Sequence, residues 1–597
     1  MRGSSSLAPR PAILTSSPNS HPSTLKYVVL AIRGTMRWSL TKGLTVLKTY
    51  LILAKTSATR NFRSKFGGFA LLNSWNQFST SPNMTTSDEN SGSLLSWTAS
   101  DFREFMENGT YTSRQLVELC LDQIDKHNKA GMKLRAMISV LPREQALALA
   151  DQLDEDRERG LIRGKFHGIP IIVKDTINTD PSLNMPTTLG SPALLTTKPK
   201  GNAKIIDMLV REGAIILGKA NLSEFGATKS GKAVVGYSPV GGQTQPAYVE
   251  SGVLPDDTIM GNSNPGGSSS GSAVGVAAGF SPWSIGAETD GSLVTPASRS
   301  SLYALKPTIG SVSGDGVFML TETMDSLGGL AKCVDDLALL TERLMSTSDG
   351  PKLNITSFDK KFSRFRIGFL DPNIWKLPTS LLEPTESYTR QTINAYQAAI
   401  NLMEKHGATV VYPVELTPAS KITYEGQSAY GIIRNGEFRF KLEEYLSDLD
   451  YSSIRTLGDV IKFNNDHPDL AFSRESPDQS KLIAMQNADI TPEFLKAAVV
   501  AIRKAAGPGN IDRVLQEHEL DVIIAPSDSP ISTAAAISGY PIGTMPLGYL
   551  EENGRPFGLS ILASAHEEAK ILGVMASWEP LMRRKIPSPL LQWESKL

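Results

Sequence analysis

The chain has 597 residues, of which 40% are hydrophobic, 20% charged and 7% aromatic, with 49 glycines and 36 prolines. This composition is that of an ordinary globular protein, and it excludes collagen, a coiled coil and a chain that is disordered throughout. At about 150 residues per domain this length would correspond to about four domains, but a large α/β fold can form a single domain that is much longer than 150 residues.

The net charge of −1 conceals a strong asymmetry along the chain. Residues 1–87 contain eleven lysines and arginines and no acidic residue, whereas the remainder carries 49 basic and 61 acidic side chains. A body with an acidic excess does not attract the phosphate backbone, so we predict no nucleic-acid partner.

Cysteine and histidine are too sparse to build a metal or disulfide framework. The two cysteines are Cys120 and Cys333, and none of the seven histidines forms an H-E-x-x-H pattern. We therefore predict no metal and no cofactor, and we expect a reducing compartment, with the cytoplasm as the first choice. No apolar stretch approaches the roughly 18 to 20 residues that span a bilayer, so we predict no transmembrane segment.

The N-terminal 92 residues read as a basic extension, and three interpretations stay open. The first interpretation is that the extension is disordered or lies outside the natural product, because Met84 precedes a polar stretch typical of the start of a mature chain. Alternatively, residues 1–83 are a mitochondrial or other organelle-targeting segment. The third alternative is peripheral membrane contact through residues 38–56, where leucines recur at helical spacing beside lysines.

From about residue 96 the pattern alternates between helices and short apolar strands. Thr112 and Ser113 predict a helix N-terminus, residues 146–156 a helix, and residues 169–173 a strand that is buried on both faces. Alternation of this kind over some 500 residues predicts an α/β fold around one large sheet.

Glycine marks two helix-to-strand junctions. Residues 208–212 and 402–406 are helical in pattern, and each is followed by a glycine, Gly213 or Gly407, and then by an apolar strand. Glycine at this position readily takes the left-handed conformation that ends a helix.

Further along the chain, residues 521–525 predict another buried strand, and Asn553-Gly554 predicts a tight turn before a strand at 557–562. Residues 350–500 are more polar and less regular. We expect them to form a variable, substrate-shaping embellishment.

Three segments contain the residue types of a serine hydrolase. Residues 264–279 (NPGGSSSGSAVGVAAG) place a Gly/Ser loop before a helix of small residues, and residues 286–298 (GAETDGSLVTPAS) place Ser292 after a tight turn. Lys174 ends an apolar strand in residues 168–175 (GIPIIVKD), where burial could lower its pKa enough for it to act as a base. Taken separately, each feature has another explanation. The loop can be a flexible Gly/Ser linker, and a strand-end lysine is more often paired with a carboxylate such as Asp175.

The three segments occur in an order that resembles the amidase signature family of serine amidohydrolases. The resemblance covers about residues 95–590 and includes residues 214–221 (AIILGKAN) and 302–310 (LYALKPTIG). It implies the amidase signature fold, a large mixed β-sheet core flanked by helices on both faces, as a single domain at 93–590 followed by a tail at 591–597.

The resemblance also implies roles for individual residues. Ser292 is the expected nucleophile, Ser268 the bridging cis-serine and Lys174 the base. The backbone N–H groups of Thr289, Asp290, Gly291 and Ser292 match the family's oxyanion hole. The form Asp290-Gly291-Ser292-Leu-Val resembles the branch of free-standing amidases and peptide amidases.

We therefore expect an amidase that converts a small carboxamide to an acid and ammonia or an amine through an acyl-serine. Two alternatives remain open, a glutaminase A-type subunit of a tRNA-dependent amidotransferase and a catalytically silent scaffold with the same fold. A Ser-His-Asp mechanism is the rival chemistry, with His467 or His518 as base, but no G-x-S-x-G elbow surrounds Ser292. The sequence leaves a homodimer open.

Overall fold

The computed structural model describes residues 93–255, 257–348 and 357–594. The predictions for the extension, including residues 38–56, therefore lie outside the described residues. The described residues belong to one compact unit. Among them, no helix combines the length and the apolar character that crossing a membrane requires.

The described residues contain seventeen α-helices, numbered here in chain order. They are α1 Ala99–Glu107, α2 Ser113–His127, α3 Arg143–Glu158, α4 Lys204–Arg211, α5 Ser270–Ala277, α6 Val294–Ser298, α7 Val334–Met345, α8 Glu386–Lys405, α9 Ala429–Asp448, α10 Leu457–Asp466, α11 Pro468–Ala471, α12 Ser480–Gln486, α13 Pro492–Ala506, α14 Arg513–Glu517, α15 Ile531–Ser538, α16 Glu568–Trp578 and α17 Ser588–Glu594.

Fifteen strands accompany them in the described part of the chain. They are β1 Met137–Val140, β2 Pro170–Lys174, β3 Ile215–Ala220, β4 Tyr237–Ser238, β5 Gly242–Gln243, β6 Trp283–Glu288, β7 Tyr303–Lys306, β8 Ser326–Ala331, β9 Arg366–Phe369, β10 Thr409–Val411, β11 Thr423–Tyr424, β12 Gln427–Ser428, β13 Val522–Pro526, β14 Ile542–Tyr549 and β15 Pro556–Leu562.

Eleven strands form one mixed sheet in the order β1-β3-β2-β6-β8-β7-β14-β15-β13-β9-β10. The pairs β3–β2, β2–β6, β13–β9 and β9–β10 are parallel, and the other neighbours are antiparallel. Every residue of β2, β3, β6 and β8 is buried. Because successive strand residues point to opposite faces, both faces of this part of the sheet are covered. The predicted α/β fold class is confirmed.

Local sequence signals explain several element boundaries. Thr112 caps α2 by accepting a hydrogen bond from the backbone N–H of Gln115, as the predicted N-terminus requires. Gly213 and Gly407 have φ of 90° and 98°, the left-handed region in which glycine ends a helix without strain. Gly554, with φ of 75°, lies in the turn between β14 and β15.

Residues 350–500 contain more regular structure than their polar sequence suggests, and their substrate-shaping role stays a prediction. This region contains β9 and β10, which extend the main sheet, and two helices of 20 residues each, α8 and α9. Polar residues are frequent here because the helices expose one face. In α8, for example, only five residues are buried.

Candidate active site

Lys174 is the last residue of β2, and its side chain is only 2% exposed. Its Nζ lies 2.8 Å from Ser268 Oγ and 2.9 Å from the carbonyl oxygen of Ala287. Burial lowers the pKa of Lys174 to about 7, although the carboxylates of Asp325 and Glu288 oppose the shift. The amine is therefore neutral in a substantial fraction of molecules near neutral pH.

The two neighbours of Lys174 Nζ differ in what they can do. The carbonyl oxygen of Ala287 can only accept a hydrogen bond, so it takes one N–H of the amine. A neutral amine keeps one lone pair, and the hydroxyl of Ser268 can donate its proton to it. The geometry thus allows proton transfer from Ser268 to Lys174.

Ser268 belongs to the serine loop, defined here as residues 264–270, which leads into α5. The peptide bond between Gly267 and Ser268 is cis. Asn264 shapes the loop from within, because its Oδ1 accepts from Gly266 N over 2.7 Å and its Nδ2 donates to Val235 O over 2.8 Å.

The other two serines of the loop are engaged elsewhere. Ser269 Oγ donates to the carbonyl oxygen of Ala287 over 3.0 Å, and Ser270 Oγ donates to the carbonyl oxygen of Gly266 over 2.7 Å. Of the three, Ser268 is the serine whose hydroxyl meets Lys174.

Ser292 lies in the turn that follows β6, and it is buried but for 9% of its surface. Glu288, the last residue of β6, organises this turn because its Oε2 accepts from Leu293 N over 2.7 Å and from Val294 N over 2.9 Å. Gly291 has φ of 73°, which turns the chain sharply just before Ser292.

The backbone N–H groups of residues 289–292 have no acceptor within the described residues. They belong to Thr289, Asp290, Gly291 and Ser292. These donors are thus available to an oxygen atom that arrives beside Ser292.

Three contributors to the site escaped prediction from the sequence. Asp325 directly precedes β8, accepts a hydrogen bond from Thr321 Oγ1 and interacts electrostatically with Lys174. Ser532 and Thr533 of α15 donate to the carboxylate of Asp290 over 2.7 and 2.9 Å. These three residues belong to no motif with a recognisable spacing, so no signal in the sequence identified them.

The histidine alternative finds no support in the geometry. His467 is exposed, its Nδ1 contacts the carbonyl oxygen of Phe463, and His518 lies at the end of α14. No histidine among the described residues is hydrogen-bonded to Ser292.

Comparison with known proteins places this site in a family. The sequence model of the amidase family matches residues 115–572. A probable amidase of Arabidopsis thaliana is 31% identical over 494 residues, which cover 82% of this chain and 90% of the relative. The A subunit of the glutamyl-tRNA(Gln) amidotransferase of Natranaerobius thermophilus is 27% identical over 512 residues, which cover 81% and 96%.

A solved structure with a similar fold is the native peptide amidase from Stenotrophomonas maltophilia. It matches with a TM-score of 0.72 and 32% identity over 82% of this chain and 98% of the peptide amidase. The family match extends over more than three quarters of the chain and includes Lys174, Ser268 and Ser292. The chain therefore belongs to the amidase family and is a hydrolase of amide bonds.

Proposed function

We propose that the protein hydrolyses a small carboxamide to a carboxylic acid and ammonia or an amine, through an acyl-enzyme on Ser292. Lys174 is the base, Ser268 relays protons between Lys174 and Ser292, and the N–H groups of residues 289–292 receive the oxyanion. The observation that carries this proposal is the buried contact of 2.8 Å between Lys174 Nζ and Ser268 Oγ.

In the proposed acylation step, protons move from Ser292 through Ser268 to Lys174. Ser292 Oγ attacks the amide carbonyl carbon and passes its proton to Ser268, whose own proton goes to the neutral amine of Lys174. The oxyanion that forms is stabilised by the backbone N–H groups, which are fixed before the reaction begins. As the C–N bond breaks, Ser268 gives a proton to the leaving nitrogen and recovers one from Lys174.

Deacylation repeats the route with water as the nucleophile. Water loses a proton through Ser268 to Lys174 and attacks the acyl carbonyl, and the proton then returns to Ser292 Oγ. The acid leaves, and the starting protonation states are restored.

A free-standing amidase is favoured over a component of an amidotransferase. The peptide amidase is 32% identical, against 27% for the amidotransferase chain of Natranaerobius thermophilus over a similar share of this chain. The turn Glu288-Thr289-Asp290 before Gly291-Ser292 supports the same choice, as inferred from the sequence. The catalytically silent scaffold is disfavoured because the lysine and both serines are present.

The test is release of ammonia by the full chain from aliphatic, aromatic and peptide amides, with glutamine included. We expect turnover that Ser292→Ala abolishes. Ser281→Ala is the matched control, since Ser281 is a buried serine whose Oγ bonds to the carbonyl oxygens of Pro170 and Trp283. Equal turnover by Ser292→Ala and the unaltered chain would contradict the proposal.

We further propose a reducing compartment, with the cytoplasm as the first choice. Both cysteines of the chain, Cys120 and Cys333, are free thiols. Proteins in oxidising compartments more commonly pair their cysteines. The organelle-targeting interpretation, membrane contact through residues 38–56 and the homodimer stay predictions.

A further inference from the structure

The segment that leads into the serine loop is held through its backbone carbonyl groups. Arg299 Nη1 donates to the carbonyl oxygen of Gly261 over 2.9 Å and to that of Asn264 over 3.1 Å. Asn553 Nδ2 donates to the carbonyl oxygen of Asn262 over 3.0 Å. Side chains from two distant parts of the chain therefore fix residues 261–264.

Arg299 is held in turn by a buried carboxylate. Asp528 Oδ1 lies 3.0 Å from Arg299 Nε, and Asp528 Oδ2 lies 3.1 Å from Arg555 Nη1. Both arginine side chains are fully buried, and that of Asp528 is 5% exposed. Burial alone would raise the pKa of Asp528, but the two guanidinium groups outweigh it and hold the pKa at about 2. The aspartate therefore stays ionised.

Stability alone does not account for this cluster of charges. Moving charged groups out of water is costly, and apolar side chains of similar volume in place of a buried ion pair are often neutral or stabilising. Two arginines share a single carboxylate here, and Nε and Nη2 of Arg555 have no hydrogen-bond partner among the described residues. The structure shows a more specific role for the charged cluster, because it holds Arg299 where its side chain donates hydrogen bonds to two backbone carbonyl groups.

The carbonyl groups that Arg299 binds lie only a few residues before Ser268 in the chain. Asn264, whose carbonyl group Arg299 holds, positions Gly266 through its own Oδ1 over 2.7 Å. Ser268 follows two residues later, at 2.8 Å from Lys174 Nζ. A shift of residues 261–264 would therefore be passed along the loop to Ser268.

We propose that Arg299, held by Asp528, is a positioning residue that keeps Ser268 Oγ within hydrogen-bond distance of Lys174. Its hydrogen bonds go to Asp528, Gly261 and Asn264, so it acts on Ser268 through the backbone of the loop. The proposal rests on the proposed function of Ser268 as the proton relay. Asn553 contributes to the same positioning through Asn262.

The first test separates positioning from binding. Arg299→Met keeps a long side chain but removes all donors. We expect kcat to fall about 10- to 100-fold, because misplacement of a catalytic group by about 1 Å has an effect of this size, while KM stays within about twofold. Arg366→Met is the matched control, since Arg366 also donates to two main-chain carbonyl groups, at Glu519 and His518, but lies on β9 near the far edge of the sheet. We expect its kcat to be unchanged.

The second test asks whether Arg299 acts through Ser268. In a Ser268→Ala background, Arg299→Met should cause no further loss of the residual rate, because the group that it positions is already gone. A loss equal to that seen in the unaltered background would overturn the proposal. Unchanged kcat in Arg299→Met, or a rise in KM alone, would overturn it as well.

Two milder variants keep the test informative if Arg299→Met does not fold. Arg299→Lys retains a charge but offers one nitrogen in place of the separate Nε and Nη1 that reach the carboxylate and the two carbonyl groups. Asn553→Ala removes only the contact with Asn262. We expect both to lower kcat by smaller factors than the methionine variant, and normal kcat in both would overturn the proposal. If Ser268→Ala keeps full activity, the proposed relay fails and the positioning role fails with it. If Ser268→Ala is impaired and the Arg299 variants are not, the positioning role alone fails.

Discussion

The backbone N–H of Ser269 donates to the carbonyl oxygen of Ser292 over 2.9 Å. This bond joins the serine loop to the turn that contains the nucleophile, so the proposed relay Ser268 and Ser292 are held by adjacent backbone segments. The proposed proton route from Ser292 to Lys174 therefore depends on the relative position of these two segments, and each part of the route can be altered separately.

The rate should depend on the protonation of Lys174. Only the neutral amine can accept a proton, and burial lowers the pKa of Lys174 to about 7. We therefore expect kcat/KM to rise with pH through a midpoint near 7 and to fall steadily below it. A pH–rate profile from about pH 5 to pH 9 measures this directly. A midpoint near 10, the value of an ordinary lysine, would contradict the prediction.

The same burial should make Lys174 a cost to stability. Between about pH 10 and pH 7 the unfolded chain holds a proton on this lysine that the folded chain lacks, so the folded state loses stability as the pH falls. We expect Lys174→Met to be inactive but more stable than the unaltered chain, with a difference that grows from about pH 10 to pH 7 and levels off below. Urea unfolding at several pH values tests this, and a pH-independent difference would count against it.

Ser268 and Ser270 should differ sharply when each is replaced by alanine. Ser268→Ala should lower kcat by about 100- to 10,000-fold, the usual contribution of acid–base groups. Ser270→Ala removes only the bond to the carbonyl oxygen of Gly266, so we expect it to cost about 1 kcal/mol of stability and little activity. Steady-state kinetics and thermal unfolding of both variants measure these effects. A larger loss of kcat in Ser270→Ala than in Ser268→Ala would contradict the prediction.

Gly291 should resist substitution even by alanine. Its φ of 73° is unfavourable for any residue with a Cβ, and a Cβ there would lie 3.0 Å from Thr295 Oγ1 and 3.1 Å from Ser532 Oγ. We expect Gly291→Ala to lower the free energy of unfolding by more than about 1 kcal/mol and to reduce kcat by displacing the oxyanion donors. Gly109→Ala is a control with a similar φ of 76° and open space around its Cβ position. Normal kcat in Gly291→Ala would show that the turn does not position the donors.

Local patterns predicted two of the buried strands of the sheet well. The apolar run at 169–173 corresponds to β2, displaced by one residue, and the strand expected at 521–525 corresponds to β13. These predictions succeed because a strand buried on both faces needs a continuous apolar run. The glycines after α4 and α8 likewise have a backbone conformation that few other residues adopt.

Contacts between distant segments could not be predicted in this way. Arg299 and its partner Asp528 are 229 residues apart in the chain, and each alone is an ordinary surface residue type. Asp528 follows β13 and Asn553 precedes β15, and these two strands are neighbours in the sheet. The place of β9 and β10 in the main sheet likewise depends on pairing between segments that are distant in the chain.

The most direct test of the proposed chemistry is to locate the acyl group. The full chain is quenched in acid during turnover of an amide substrate, digested and analysed by mass spectrometry. An acyl-enzyme on Ser292 predicts an acyl adduct on the peptide that contains this residue, absent from Ser292→Ala under the same conditions. An adduct on another residue, or undiminished turnover by Ser292→Ala, would contradict it.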